Sequence, residues 1–437
     1  MESIGIGLAG FGTVGAGVFQ ALQQNGELLY RRLGVRFEVR RIALRHPTKN
    51  RPFPAPEGLV TTNWRDLIAD PSIRIIVELM GGTKEPFALF RSAIAAGKTL
   101  ITANKALLAE HGAEIFQLAE SANVPVFYEA AVAGGIPIIK SIREAFVGNH
   151  FESIYGILNG TSNYILTRMT DSAMDFHQAL AEAQSLGFAE ADPSLDINGW
   201  DAAHKAIILA SLAYGFWLNT NSIQVEGIEN ISPLDIRFAL ELGYNIKLLA
   251  SIRSHPNQEI EVSVRPTLVP QSHVLASVNG VFNAILINGD LVGESLLYGR
   301  GAGQAPTTSS VLGDLAEAAL ALTFPRASGG FKPHNLQGRV KDASSSESSF
   351  YLRLNVNDRP GVLAQIANIL GNAEIKISSM LQPEGADADH TSLVFMIHNA
   401  PTGTTMEAVS KIATLSCVEA NPVLLHVQKK EERENSH

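Results

Sequence analysis

The sequence predicts an α/β protein that begins with a doubly wound parallel sheet, continues as an α+β region and ends in a small βαββαβ module. Three observations lead to this prediction. Short apolar segments alternate with helical patterns over residues 1–150, as in parallel strands that are buried on both faces. Helices and strands with one polar face follow over 151–304. Strand and helix patterns then occur in the order βαββαβ over 350–428.

Residues 1–150 are expected to form the doubly wound, Rossmann-type domain, because crossovers between parallel strands are right-handed. A helix over 305–325 is expected to return to this domain. The predicted strands cover 4–10, 37–44, 73–80, 99–103 and 124–132, and the predicted helices begin at Thr13 or cover 87–96 and 105–119.

The later regions are expected to form an α+β domain over 151–304 and a ferredoxin-like (βαββαβ) domain over 350–428. Residues 326–349 are polar and rich in Gly and Ser, which indicates a linker or a loop, and 429–437 are a charged tail. In the α+β region we expect a strand over 153–158, helices over 162–169, 175–186 and 199–214, and strands over 245–253 and 259–266.

The composition is that of a globular chain without a bulk electrostatic attraction to nucleic acid. Its 437 residues are 46% hydrophobic and 18% charged, and the net charge is −9. The single cysteine, Cys417, excludes an internal disulfide framework and a cysteine-based metal cluster. The N-terminus shows no signal-peptide pattern, and the most apolar run, 206–218, is shorter than the ~20 residues that a bilayer requires. We expect a cytoplasmic protein with no membrane or nucleic-acid partner.

The segment GLAGFGTVGAG indicates a dinucleotide site. Gly10, Gly12 and Gly15 follow a predicted strand and open a helix in the pattern G-x-G-x-x-G. The first glycine allows a tight turn, the second lets the backbone approach a pyrophosphate, and the third lets helix and strand pack closely. The helix N-terminus adds unpaired N–H groups. The alternative is a glycine-rich turn that only packs.

The end of the second predicted strand bears on the choice of cofactor. An acid there binds the ribose 2′-hydroxyl of NAD, whereas an arginine suits the 2′-phosphate of NADP. The sequence has no acid between Val39 and Pro56, but it has Arg45, Lys49 and Arg51. The segment therefore favours NADP and leaves NAD possible. Alternatively, these are solvated loop charges.

Two further segments follow predicted strands. Lys105 in TLITANKALLA lies at the carboxyl edge of the sheet, where open α/β sheets bind ligands. It could contact a carboxylate or a reacting oxygen, or it could be a surface lysine; its unfavourable place at a helix N-terminus favours function. In EAAVAGGIPI, residues 129–138, small side chains indicate a tight loop whose carbonyl groups could hold a hard cation.

The segment FAEADPSLDINGWDAAHKAIILA places several acids before a lysine on an apolar helix. Asp201 and Lys205 are one turn apart, and apolar residues nearly surround that helix, so we expect the pair to be buried. Because a buried ion pair is costly, we interpret Lys205 as a poised proton donor or acceptor at a carbinol oxygen. A simple helix salt bridge is the alternative, and Asp196 or Asn198 could cap the helix.

The chain carries five motifs whose order resembles homoserine dehydrogenase: GLAGFGTVGAGV, TANKALLA, YEAAVAGGIPII, GILNGTSNYILTRM and LGFAEADPSLDINGWDAAHKAIILA. The resemblance covers nearly the whole chain. VNDRPGVLAQIANIL resembles an ACT domain, the amino-acid-sensing module of the long homoserine dehydrogenases. His46 stands where the family often has an acid after the cofactor arginine.

The resemblance implies interconversion of L-homoserine and L-aspartate 4-semialdehyde with NADP, or possibly NAD, on the route to threonine, methionine and isoleucine. It also implies L-threonine as an effector and a homodimer or homotetramer that assembles through the second domain. The implied catalytic residues are Lys205, the general acid/base, and its partner Lys105. The implied substrate contacts are Glu190, Asp196, Asp201 and Thr161, the last in a loop, 159–163, that lines the site. The implied cofactor contacts are Gly10, Phe11, Gly12, Thr13, Val14, Gly15, Arg45, Lys105, Gly187 and Gly303. A sodium ion would lie on the backbone oxygens of Glu129, Val132, Gly134 and Ile136.

Two rival functions are open at this point. Aspartate-semialdehyde dehydrogenase needs a cysteine nucleophile, but Cys417 lies far in sequence from the predicted cofactor domain. A sensor that only reports nicotinamide and amino-acid ligands would not need Lys205 as a proton donor.

Overall fold

Residues 3–47, 51, 53–323, 338–382 and 390–428 are described by the structure, a computed structural model. They divide into two compact units. The first comprises Met1–Ile154, His204–Ser222 and Asn283–Gly338, and the second comprises Tyr155–Ala203, Ile223–Phe282 and Arg339–His437. Parts of the expected 151–304 domain therefore belong to the first unit. In the described ranges no helix has the length and apolarity needed to cross a bilayer.

The regular elements follow one another in a mixed order of strands and helices. In chain order they are β1 (Ser3–Ala9), α1 (Thr13–Leu33), β2 (Arg36–Ala43), β3 (Val60–Thr61), α2 (Arg65–Ala69), β4 (Ile73–Glu78), α3 (Lys84–Ala95), β5 (Thr99–Thr102), α4 (Lys105–Ser121), β6 (Val126–Phe127), α5 (Ile138–Lys140), β7 (Phe151–Ile157), α6 (Gly160–Ser172), α7 (Phe176–Ser185), α8 (Ser194–Ile197), α9 (Trp200–Tyr214), β8 (Gln224–Val225), α10 (Pro233–Glu241), β9 (Tyr244–His255), β10 (Glu259–Pro270), β11 (Phe282–Gly289), β12 (Gly293–Arg300), α11 (Gln304–Thr323), β13 (Arg339–Val340), β14 (Glu347–Asn357), α12 (Val362–Asn372), β15 (Lys376–Leu381), β16 (His390–Pro401), α13 (Thr402–Ala413) and β17 (Val423–Val427).

The first unit is built on a six-stranded sheet in the order β3-β2-β1-β4-β5-β6, in which neighbouring strands run parallel. The predicted doubly wound parallel sheet is confirmed. The strand order reverses between β1 and β4, which is where open α/β sheets bind ligands. Apolar side chains of β1, α1 and α11, among them Leu8, Val18 and Leu315, form one buried core. This core holds the loop after β1 in place.

The last strand of this sheet is shorter than the predicted 124–132. β6 covers only Val126–Phe127, and a single 3₁₀ turn follows at Glu129–Ala131. The N–H of Glu129 donates to the carboxylate of Asp314 in α11 at 3.0 Å. Because that N–H bonds to a side chain, the backbone leaves the sheet here and forms a loop.

The second unit contains a long antiparallel pair, β9 and β10, whose register runs from Glu259 opposite His255 to Pro270 opposite Tyr244. Both strands extend beyond the predicted 245–253 and 259–266. β10 also pairs in parallel with β8, β13 and β17, so the sheet is mixed. The expected combination of helices with a largely antiparallel sheet is present here.

The C-terminal module of this unit has the predicted βαββαβ order. Its strands lie in the order β17-β14-β16-β15, all antiparallel, with α12 and α13 as the connecting helices. This is the ferredoxin-like arrangement. Of the expected linker, residues 326–337 lie outside the described residues, as does the tail 429–437. Residues 338–349 contain β13, a 3₁₀ turn and the start of β14 instead of an irregular linker.

Candidate active site

The glycine loop joins β1 to α1. Gly10 has φ +106°, and a Cβ on Gly15 would lie 2.4 Å from the Gly10 carbonyl oxygen, so both positions require glycine for internal reasons. Gly12 differs, because apart from Gly12 and its two chain neighbours no described residue has an atom within 4 Å of the position its Cβ would take. Packing alone therefore explains Gly10 and Gly15 but not Gly12. Open space at the N-cap of α1 fits the pyrophosphate of a dinucleotide.

The loop after β2 is tied to the glycine loop by Arg51. Its guanidinium donates to the carbonyl oxygens of Phe11 at 3.1 Å and His46 at 2.8 Å. Arg51 therefore positions backbone and is not merely a solvated charge. Arg45 is exposed two residues after β2, where the 2′ position of a dinucleotide ribose is expected. Lys49 lies outside the described residues.

The other predicted cofactor contacts lie at turns. Gly303 has φ +109° immediately before α11, and the side chain of Gln304 donates to the Thr13 carbonyl at 2.8 Å, which joins this turn to the start of α1. Gly187 belongs to the second unit, where its φ of +74° ends α7. Val14 is half-buried in the first turn of α1.

Lys105 is the first residue of α4 and is half-buried. The preceding Asn104 holds this helix start, because its Oδ1 accepts the N–H of Leu107 at 3.0 Å and its Nδ2 donates to the Gly82 carbonyl at 2.7 Å. The side chain at position 105 thus leaves the sheet edge from a fixed backbone. This is the predicted location of Lys105.

Glu78, at the end of β4, is a buried acid that the sequence analysis missed. Its carboxylate accepts the hydroxyl of Thr102 at 2.7 Å and the N–H of Met80 at 2.8 Å. Burial raises the pKa of Glu78. An acid inside the apolar segment IRIIVELM was the signal that could have identified it.

Two buried acids meet at the loop after β6, Glu129 in the loop itself and Asp314 in α11. The side chain of Glu129 accepts the N–H groups of Ile139 and Lys140, each at 2.9 Å, and Asp314 accepts the N–H of Glu129. Burial raises the pKa of Glu129 to about 6 and the pKa of Asp314 well above its usual range. Both acids would be stabilised in their charged form by a nearby cation.

Three of the four carbonyl groups implied as cation ligands already accept hydrogen bonds. The Ser310 hydroxyl donates to Gly134, the N–H of Ile138 donates to Ile136 at 2.8 Å, and the N–H of Val132 donates to Glu129 at 3.4 Å. A carbonyl oxygen has a second lone pair, so all three can still act as ligands. Within the described residues, no cluster of three or more His, Cys, Asp and Glu side chains is arranged for a metal. Backbone oxygens beside buried acids suit a hard monovalent cation better than a transition metal.

In the second unit, one side chain brings two of the predicted substrate contacts together. The Nδ2 of Asn159 donates to Asp196 at 2.7 Å and to Asp201 at 2.8 Å. Its Oδ1 accepts the N–H of Ser162 at 2.7 Å and caps α6. The resemblance implied that the loop 159–163 lines the site, but no sequence pattern predicted this bridge.

Of the remaining predicted substrate contacts, Thr161 lies in the first turn of α6 and Glu190 in the loop after α7. The hydroxyl of Thr161 donates to the carbonyl oxygen of Phe188 at 2.7 Å. Glu190 follows two residues later with an exposed side chain. Thr161 therefore fixes the segment that presents Glu190 to solvent.

Asp201 and Lys205 lie one turn apart on α9, and their side chains are buried, at 7% and 6% exposure. Of the two cap candidates, Asn198 lies next to the start of α9, and its Oδ1 accepts the N–H of Trp200, the first residue of that helix, at 3.1 Å. Asp196 instead accepts a hydrogen bond from Asn159 and lies in the short helix α8, between the helices predicted over 175–186 and 199–214.

Family models and curated sequences match this chain over most of its length. The model described as "Homoserine dehydrogenase, NAD binding domain" matches residues 10–129, and the model described as "Homoserine dehydrogenase" matches 137–316. A homoserine dehydrogenase of Neisseria gonorrhoeae is 41% identical over 435 residues, which are 98% of this chain and 99% of that protein. One of Pseudomonas aeruginosa is 41% identical over 437 residues, 98% of this chain and 100% of that protein.

Solved structures agree with these matches. A homoserine dehydrogenase from Thiobacillus denitrificans superposes with a TM-score of 0.90 at 40% identity, covering 98% of this chain and 99% of that chain. A hyperthermophilic archaeal homoserine dehydrogenase in complex with NADPH has a TM-score of 0.62 at 27% identity and covers 74% of this chain and 99% of its own.

Proposed function

The chain belongs to the homoserine dehydrogenase family, and from its membership of this family of NAD(P)-dependent oxidoreductases we propose that it interconverts L-homoserine and L-aspartate 4-semialdehyde. The observation that carries the proposal is Lys205, an ionisable side chain buried one turn after the buried Asp201. Burying both ionisable groups costs stability, so their presence inside the protein indicates a function. A general acid/base at a carbinol oxygen is such a function.

In this proposal each residue has a distinct role. During oxidation the homoserine hydroxyl gives its proton to the Lys205 amine while the carbinol carbon loses a hydride; during reduction the Lys205 ammonium returns the proton. Lys105 assists Lys205 at the same oxygen, and Glu190 holds the substrate ammonium group. Asp196 and Asp201 complete the polar pocket with Thr161. The nicotinamide, when bound, accepts or supplies the hydride.

The proposal is tested by following oxidation of NADPH, and separately of NADH, with aspartate semialdehyde. Lys205→Ala and Lys205→Arg should each lose about 10²–10⁴-fold in kcat, because arginine keeps the charge but does not release its proton. Their affinity for NADPH, measured by fluorescence titration, should stay at the wild-type value. Wild-type turnover in either variant would remove Lys205 from the mechanism.

Two rival functions make different predictions in the same assay. A sensor would bind NADPH without turnover in the wild-type protein and would be unaffected by the Lys205 variants. A thioester mechanism needs an accessible cysteine, whereas Cys417 is buried in the core of the ferredoxin-like module. The burial of Cys417 favours the homoserine dehydrogenase reaction over a thioester mechanism, and turnover by the wild-type protein decides against a sensor.

The proposal extends to NADP as the preferred cofactor and to sodium as a bound cation. The exposed Arg45 after β2, in a segment without acids, supports NADP over NAD. The buried acids Glu129 and Asp314, which meet at the loop 129–138, support the cation. The implied ligands are the backbone oxygens of Glu129, Val132, Gly134 and Ile136.

We assign the ferredoxin-like module a regulatory role as an ACT domain that senses L-threonine, with the enzyme acting in cytoplasmic threonine, methionine and isoleucine biosynthesis. The motif VNDRPGVLAQIANIL, which leads from β14 into α12, supports this assignment. Calorimetry and inhibition assays on the full chain test it, and failure to bind threonine would contradict it. Light scattering tests the accompanying proposal of a homodimer or homotetramer.

A further inference from the structure

Asn159 uses every hydrogen-bonding group of its side-chain amide. The oxygen accepts the N–H of Ser162, and the nitrogen donates to one carboxylate oxygen each of Asp196 and Asp201. The side chain is 5% exposed, so water cannot readily replace these partners. The amide is therefore both the cap of α6 and the bridge between two acids that are 37 and 42 residues away in sequence.

Capping alone does not select asparagine at this position. Asparagine, aspartate and serine cap helices about equally well. Of these three, only asparagine offers two N–H donors together with the capping oxygen. The orientation of the amide is also determined, because the reverse orientation would place its oxygen against both carboxylates and its N–H groups against the N–H of Ser162. The need for two N–H donors toward two acids, in addition to the cap, is what selects asparagine over aspartate and serine here.

Two carboxylates beside one nitrogen atom would repel each other without a donor between them. Asp201 is held on α9, and Asp196 is held in α8, whose carbonyl oxygen at position 196 also accepts the Ser162 hydroxyl at 2.7 Å. The start of α6 therefore fixes the backbone of Asp196 through Ser162 and its side chain through Asn159. The result is a pair of carboxyl groups held in fixed positions.

We propose that Asn159 is a positioning residue that orients the carboxylates of Asp196 and Asp201 for binding the polar groups of the substrate. This inference rests on the proposed function, in which those two acids complete the homoserine pocket. Without the amide, the two carboxyl groups are no longer held together, and the pocket loses the geometry that the polar groups of homoserine need. A misplacement of about 1 Å can reduce an enzymatic rate ~100-fold.

The test uses a variant that keeps the cap and removes the two donors. Asn159→Ser retains a capping oxygen, so α6 should still form, and kcat/KM for homoserine should fall about 10–100-fold. The dissociation constant for homoserine, measured by calorimetry with cofactor present, should rise by a similar factor. KM for NADP should stay within about twofold. Asn159→Asp keeps the cap but places a third carboxyl group beside the two acids in place of the donors, and it should be the more damaging variant.

The matched control is Asp175→Ala, which removes the cap of the neighbouring helix α7, where Asp175 accepts the N–H of Gln178 at 2.9 Å. It should lower the melting temperature without changing kinetics for homoserine. Wild-type kcat/KM in Asn159→Ser would show that Asn159 only caps. A parallel loss of NADP affinity, with a larger loss of melting temperature than the control, would make its role structural. Absence of homoserine turnover in the wild-type protein would instead overturn the proposed function.

Discussion

Arg353 in β14 and Asp235 in α10 form a bidentate ion pair, with Nε to Oδ1 at 2.6 Å and Nη2 to Oδ2 at 3.1 Å. Asp235 is fully buried, and Arg353 is 7% exposed. The hydroxyl of Tyr351 donates to the same carboxylate at 3.1 Å. This cluster is the polar attachment between the ferredoxin-like module and α10.

Arg353→Met should destabilise the protein by about 3–5 kcal/mol, because it leaves Asp235 buried with an uncompensated charge. The exposed pair Arg237 and Glu241 is the control, and Arg237→Met should cost less than about 1 kcal/mol. Urea unfolding measures both values. Adding Asp235→Asn to Arg353→Met should recover part of the loss, and equal costs for the two arginines would contradict the prediction.

Gly12→Ala should weaken NADPH binding at least about tenfold while costing about 1 kcal/mol or less in stability. The reason is that the space beside Gly12 is open to a ligand and unobstructed by the described residues. Gly26, inside the helix that Gly12 precedes, also has open surroundings, so Gly26→Ala should stabilise the helix by about 0.5–1 kcal/mol and leave binding unchanged. Fluorescence titration and thermal melts separate the two effects. Unchanged NADPH affinity in Gly12→Ala would place the pyrophosphate elsewhere.

Arg45→Ala should lower kcat/KM with NADPH about 10–100-fold and leave the value with NADH nearly unchanged, because only NADP carries a 2′-phosphate. Arg41, an exposed residue of β2 that pairs with Asp70 at 3.1 Å, supplies the control variant Arg41→Ala. Steady-state kinetics with both cofactors gives the ratio. Equal losses with NADPH and NADH would mean that Arg45 does not read the phosphate.

Sodium should specifically stabilise the wild-type protein, and Gly134→Ala should abolish this effect. A Cβ at this position would lie 2.9 Å from the Thr307 hydroxyl and displace a proposed cation-binding carbonyl. The melting temperature in sodium chloride is compared with that in choline chloride at equal ionic strength, since a ligand of the folded state raises it by mass action. Gly148→Ala, where the described surroundings leave room for the methyl group, is the control. Identical melting of the wild-type protein in both salts would count against the cation.

Because of Lys247, the free energy of unfolding should change with pH in the alkaline range. Its ammonium is buried in β9 and donates to the Val278 carbonyl at 2.6 Å, and burial lowers the pKa of Lys247 to about 8. Between pH 8 and about 10.4 the unfolded chain binds more protons than the folded chain, so this group makes the free energy of unfolding rise with pH.

Relative to Lys247→Met, the wild-type protein should gain about 1–2 kcal/mol from pH 8 to 9.5. Urea unfolding at the two pH values measures the difference. Lys376→Met, at an exposed position of β15, should show no such pH-dependent difference. A constant offset between wild type and Lys247→Met at both values would mean that Lys247 titrates normally.

Much of the fold was predictable because the relevant signals are local. The alternation of apolar strands with helices predicted the parallel sheet, and Gly10, Gly12 and Gly15 predicted the turn after β1. The apolar positions around Lys205 predicted a buried helix. The predicted strand over 124–132 was too long, since the bond that ends it comes from Asp314, 185 residues from Glu129.

The sequence by itself determined the order of the elements, the glycine turn and the burial of Asp201 and Lys205, because hydrophobic period, turn chemistry and helix spacing act over a few residues. Only the tertiary structure decided that Asn159 bridges Asp196 and Asp201, that Glu129 meets Asp314, and that Arg353 pairs with Asp235. Such hydrogen bonds join residues that no local pattern relates. They form because packing removes their groups from water and leaves one another as the available partners.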